Sequence, residues 1–251
     1  MIPRNSRLPS PSSPQQPPTR PWWGLGDVAL GIVAALLLST VISVAAYAAA
    51  GWSSKALPPL WAVALLQVPL WLGLLGAVLW ASRHKGLGLR DDFGWSMRWT
   101  DPLLGVAVGV AMQLLVIPLL YIPLLSLLGQ SAEDLEAPAR KLADRATGPA
   151  SWLLLVVIVA VGAPVVEELF YRGLFLASLE KRGLGPWPAA LVSAVVFGAM
   201  HFEALQFAGL FLFGLVLALM VQRTGRLGPA IWAHAAFNAA TVVSLYLQRA
   251  H

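Results

Sequence analysis

The sequence of 251 residues contains no cysteine. That absence removes disulfides, a thiol nucleophile and thiolate metal sites together. Charge is scarce too: Asp, Glu, Lys and Arg make up 12% of the chain, against about 25% in a soluble domain. A bilayer core requires such scarcity, because one charge at its centre costs roughly 2.5–3.5 kcal/mol. Segments of about ten residues with alternating polarity, the mark of a membrane β-barrel, are missing. So is any basic stripe interleaved with aromatics. The net charge of +5 therefore reads as membrane topology and lipid-headgroup contact, with no nucleic acid as partner.

What remains is hydrophobic. Apolar residues make up 58% of the chain, and mean hydropathy is +0.71. A transmembrane helix needs about 20 apolar residues. Runs of that kind cover 25–50, 58–81, 102–128, 150–176, 187–201, 205–221 and 227–247. The expected fold is all-α, a polytopic bundle of about seven transmembrane helices. The fifth run is short, which predicts a tilted helix or a break near His201 and Phe202. Pro118 and Pro123 predict kinks in the third helix. Trp22 and Trp23 are placed at the membrane interface, where amphipathic rings sit.

Three regions follow. Residues 1–21, rich in Pro, Ser and Gln, cannot build a core and predict a disordered tail. They lack the short apolar stretch and small-residue cleavage site of a secretory signal. Residues 22–128 form almost purely apolar N-terminal helices. Residues 150–248 hold the intramembrane polar chemistry. The mixed-charge stretch 129–149 reads as a solvated linker, with a lid or substrate-contacting segment as the alternative. Basic residues recur on alternate loops: Arg4, Arg7 and Arg20; then Arg83, Lys85, Arg90 and Arg98; then Lys181 and Arg182; then Arg223 and Arg226. The loop between the first two helices has only Lys55. This alternation predicts the N-terminus inside, and 129–149 and the C-terminus outside. The preferred location is a bacterial inner membrane.

Ionisable residues inside a membrane span are costly, so each is a candidate site. They cluster in three places: Glu167, Glu168 and Arg172 in the fourth run, His201 at the end of the fifth, and His234 with Asn238 in the seventh. Glu168 and Arg172 are four residues apart and share a helix face. Glu167 points about 100° away. His234 and Asn238 share a face, as do Phe197 and His201. Counting helical rise places Glu167 and His234 roughly 10–17 Å below the inner surface and His201 nearer 20 Å. On this count the site favours the inner side.

Such residues around one cavity could activate a water. A glutamate would take its proton, and a histidine and an asparagine would donate to the oxyanion formed on an attacked carbonyl. Alternatively, Glu167, His201 and His234 could ligate zinc with one position open. The bland readings are a structural ion pair for Glu168–Arg172, a histidine bonded to a backbone carbonyl or facing an interfacial water for His201 and His234, packing for Phe197, and helix–helix contact for Asn238 and for Gly173, Gly198 and Gly214.

The order E-E-x-x-x-R at 167–172, F-x-x-x-H at 197–201 and H-x-x-x-N at 234–238 resembles the CAAX-protease and bacteriocin-processing family, also called the Abi family, over about residues 150–245. The resemblance implies an intramembrane endopeptidase acting on a membrane-associated or prenylated, CAAX-like protein or peptide. It implies Glu167 as general base, His201 as its partner on the water, His234 and Asn238 as oxyanion donors, and Glu168 and Arg172 in support. Two other classes compete: a proton-coupled transporter, which buried Glu, His and Arg could also serve, and a non-catalytic scaffold or immunity protein.

Overall fold

The structure, a computed structural model, describes residues 21–53 and 57–250. The tail of residues 1–20, Lys55 and His251 lie outside the described residues. Every regular element described is helical. Among the described residues, six helices are long and apolar enough to cross a membrane. They are α1 (Leu25–Ala50), α2 (Leu60–Lys85), α4 (Asp101–Leu128), α6 (Pro149–Lys181), α8 (Phe207–Thr224) and α9 (Gly228–Ala250). A shorter apolar helix, α7 (Pro186–Ala199), stands among them. Lying off the spans are α3 (Leu89–Phe93) and α5 (Ala132–Ala143). Helices suit an apolar solvent because each bonds its own backbone amides and carbonyls.

Close packing depends on small residues. A Cβ on Gly73 of α2 would collide with the backbone of Ala35 in α1. A Cβ on Gly109 of α4 would collide with the Ala233 carbonyl oxygen in α9, and one on Gly105 would sit 2.5 Å from the Trp232 Cβ. Gly105 and Gly109 have the small-xxx-small spacing that lets two membrane helices touch along their backbones. The middle of α6 is the most enclosed part of the bundle: Phe170 and Leu174 have no exposed surface.

Two spans contain π-helical turns, Met112–Val116 in α4 and Val157–Gly162 in α6. Each lies just ahead of a proline, Pro118 and Pro164. A proline has no N–H for the carbonyl four residues back, here Leu114 and Ala160, and both carbonyls fall inside the widened turns. A third π stretch, Glu168–Leu176, begins at the second glutamate.

Two expectations change and two are sharpened. The stretch 129–149 is not a plain linker: α5 forms within it, started by Ser131, whose Oγ accepts from the Asp134 amide at 3.2 Å. The bonds returned by Ser131 hold the Asp134 carboxyl below the usual carboxylate range. Trp22 is exposed as expected, but Trp23 is buried, its ring 5.0 Å from Phe93 and under the Lys181 ammonium at 4.4 Å. The break expected near His201 and Phe202 is real: α7 ends at Ala199, and Phe202 takes a left-handed conformation at φ 56°, which turns the chain toward α8. The seventh span starts at Gly228, where Gly94 and Ser96 accept from the backbone amides of Leu227 and Gly228.

The bundle has two ends. One gathers the loops 86–100, 182–185 and 225–227, where Arg226 Nη2 donates to Asp101 at 2.7 Å and Lys181 Nζ to the Trp23 carbonyl at 2.6 Å. The Asp101 carboxylate holds the Arg226 guanidinium above its usual range. The other end gathers α5, the link 200–206 and the end of α9.

Candidate active site

Adjacent glutamates on α6 diverge, as the helical rotation requires. Glu168 is fully buried and faces Arg172, whose Nη1 donates to its Oε1 at 2.8 Å with both side chains at 0% exposure. Arg172 Nη2 donates to the Gly214 carbonyl at 3.1 Å. Its Cζ lies 4.2 Å above the Phe197 ring, within cation–π range. A Cβ on Gly214 would sit 3.1 Å from Arg172 Nη2 and 2.9 Å from Phe197, so the glycine leaves room for the guanidinium. A buried arginine is tolerable only when its charge is paired and hydrogen-bonded. Here a carboxylate, a carbonyl and a ring face together compensate it.

The same Glu168 oxygen also holds His234. The ring Nδ1 lies 2.8 Å from Glu168 Oε1, which assigns Nδ1 as the donor, since an ionised carboxylate only accepts. The ring is clamped between Phe197 and Phe213, both edge-on, at centroid distances of 5.8 and 5.5 Å. Its other nitrogen, Nε2, comes within 3.8 Å of Glu167 Oε2. Glu167 keeps 17% of its side chain exposed, and its Oε2 bonds to no protein group among the described residues.

His201 sits where α7 has ended. Its Nδ1 is 2.8 Å from the Phe197 carbonyl, so that nitrogen donates and Nε2 is free to accept. Asn238 lies one turn beyond His234 on α9, and its Nδ2 donates to the Val159 carbonyl at 2.8 Å. Val159 lies in the π turn 157–162 of α6. The amide is thereby oriented with its second proton unused by that bond.

Glu167, His201, His234 and Asn238 line one cavity of about 680 Å³, while Glu168 and Arg172 stand behind the wall. The first three spans are as apolar as expected, yet two of them also line the cavity. Gln67 and Trp71 of α2 and Gln113 and Tyr121 of α4 line the opposite side. The two glutamines were the readable signal, since an amide in a hydrocarbon-length run is costly in the same way as a charge. Tyr121 also braces the link that follows His201. Its Oη donates to the Leu205 carbonyl at 2.7 Å and accepts from the Gly209 amide at 3.1 Å.

The cavity runs toward the end that carries α5, with Leu135 and Glu136 of α5, Glu203 of the link and Gln248 of α9 at that end.

The donors do not assemble as a metal site. Among the described residues, no three His, Cys, Asp or Glu side chains converge as a ligand set. Glu167, His201 and His234 therefore do not fit zinc in this arrangement.

Residues 149–240 match the family model for type II CAAX prenyl endopeptidases, Rce1-like. Over 91 residues the chain is 28% identical to the "Putative membrane peptidase YdiL" of Bacillus subtilis (strain 168), a stretch covering 36% of this chain and 36% of that relative. The chain thus matches about a third of the length of this curated relative. No solved structure matches. The matched segment 149–240 carries Glu167, Glu168, Arg172, His201, His234 and Asn238, and there the chain is similar to Rce1-like CAAX prenyl endopeptidases.

Proposed function

We propose that this membrane protein is an intramembrane endopeptidase that hydrolyses a peptide bond of a membrane-associated or prenylated, CAAX-like substrate through a protein-activated water. The observation that carries this reading is the division of labour between adjacent glutamates. Glu168 is consumed by Arg172 and His234, while Glu167 faces the cavity 3.8 Å from His234 Nε2, with His201 on the same lining.

A water between Glu167 and His201 would lose its proton to the Glu167 carboxylate as its oxygen attacks the substrate carbonyl carbon. His201 Nε2, set as an acceptor by the Phe197 carbonyl, would align that water. The carbonyl oxygen becomes an oxyanion. Asn238 Nδ2 offers its remaining proton to it, and His234 Nε2 offers one in the imidazolium form, whose charge Glu168 faces. Collapse of the tetrahedral species breaks the C–N bond, and Glu167 returns the proton to the leaving amine. Donors fixed in advance suit an oxyanion because they need no reorganisation during reaction. Glu168 and Arg172 are positioning residues, acting on the substrate only through His234.

The test uses purified full-length protein with a prenylated CAAX-type peptide and an unprenylated membrane-anchored peptide. Glu167→Gln and His201→Ala are expected to keep the parent melting temperature and to lose cleavage by about 10²–10⁴-fold, the usual worth of a general base. Parent-like cleavage by both variants would overturn the reading. Cleavage of only the unprenylated peptide would retain the endopeptidase and remove the prenyl group from its substrate.

A further inference from the structure

The cavity has one polar wall, and it leads in one direction. On α9, His234, Asn238, Thr241, Ser244 and Gln248 all line it. Their spacings of four, three, three and four residues place them on one stripe of the helix, rising at about 1.5 Å per residue from the catalytic pair to the end carrying α5. Glu136 and Glu203 face the stripe near that end. Toward the opposite end the bundle is filled. Phe170, Leu174, Leu217 and Leu227 have no exposed surface, and the Glu168–Arg172 pair is fully buried beside them. Among the described residues, none from the loops 86–100, 182–185 or 225–227 lines the cavity.

The two ends differ in charge as well. The filled end carries Arg83, Lys85, Arg90, Arg98, Lys181, Arg182, Arg223 and Arg226 on short loops and helix ends. The open end carries Arg140, Lys141, Arg145 and Arg249 among the described residues, interspersed with Glu133, Asp134, Glu136, Asp144 and Glu203. Lys and Arg in short loops stay on the cytoplasmic side.

From these two asymmetries we infer that the cavity opens to the non-cytoplasmic side of the membrane, and that its substrate is a hydrated peptide segment presented from that side, beside or anchored in the membrane. This rests on the endopeptidase reading and deepens it. A cytoplasmic C-terminal tail would have to cross the packed half of the bundle to reach Glu167. A segment on the other side meets the polar stripe directly. The α5 helix overhangs this route, tied down by Gln206 Nε2, which donates to the Leu135 carbonyl at 3.0 Å, and by Arg249 Nη1, which donates to the carbonyls of Ala143 at 3.2 Å and Ala146 at 3.1 Å.

The missing cysteines make the test direct. Glu133→Cys at the start of α5 and Arg182→Cys at the basic end are both exposed positions, and each variant of the full chain would carry one thiol. In a bacterial host, a membrane-impermeant maleimide is expected to label Glu133→Cys in intact spheroplasts and Arg182→Cys only after permeabilisation. The reverse pattern overturns the inference and leaves the endopeptidase reading untouched. A second arm uses a single-span host protein carrying the same unprenylated peptide on either flank. Cleavage of the non-cytoplasmic flank supports the inference, and cleavage restricted to the cytoplasmic flank overturns it. Cleavage of neither flank, with labelling as expected, counts against the endopeptidase reading while the orientation of the cavity stands.

Discussion

The two sides of the cavity come from two kinds of sequence. The wall built by α6 to α9 is dense with costly residues held by one another: Glu168 by Arg172 and His234, Asn238 by Val159, His201 by Phe197. The wall built by α2 and α4 contributes two glutamines, a tryptophan and a tyrosine to otherwise lipid-like helices. Burial differs in the same sense. Only 17% of an apolar 18-residue stretch of α1, and likewise of α4, is buried inside the bundle, against 39% for α6. Lipid is nearly as apolar as leucine, so a lipid-facing side chain is specified by hydrophobicity alone. A residue that must hold a charge in hydrocarbon is specified in type, position and partner. The family match, 149–240, falls on the polar wall.

The contrast can be broken most sharply at Arg172. Arg172→Met leaves Glu168 buried with His234 as its remaining bonded partner, and breaking a buried pair costs about 3–5 kcal/mol. The variant is expected to lose a large part of its thermal stability, read as a lowered melting temperature in detergent. The double variant Glu168→Gln with Arg172→Met should regain much of that stability without regaining cleavage, because His234 would lack its carboxylate. Recovery of both would show that the pair does not position His234.

Asn238→Ala should separate chemistry from folding. One oxyanion donor is worth about 10²–10³ in kcat, and a fall of that size with little change in KM or melting temperature is expected. An unchanged kcat would reduce Asn238 to a tie between α9 and α6.

On the N-terminal side, Gly109→Leu tests whether α4 acts as a wall fixed by contact. Its Cβ would meet the Ala233 carbonyl, backbone that cannot step aside. Overpacking of this kind costs about 1–3 kcal/mol, and the expected result is a lower melting temperature with a parallel, smaller loss of cleavage. Equal stability would mean that α4 is a replaceable lipid-facing helix.

Several features were legible because they are local. The long apolar runs mark the spans, since no other solvent tolerates them. The pairing of Glu168 with Arg172 and the divergence of Glu167 follow from helical rotation over one to four residues. Other features were not. Trp23 is an interfacial tryptophan by sequence, yet Phe93 and Lys181, distant in the chain, bury it. Gln67 and Gln113 are isolated polar residues until α2 and α4 are placed across from Glu167.

The sequence by itself determined the medium, the number and placement of the apolar runs, and which residues are too costly to be idle, because each of these follows from composition or from a neighbour within one helical turn. Only the tertiary structure decided that Glu168 serves both Arg172 and His234, that α5 overhangs the cavity, and that the polar stripe of α9 leads away from the basic loops. Those depend on where the π turns and the early end of α7 bring distant segments together, and on backbone contacts such as Gly109 against Ala233, which no single helix specifies.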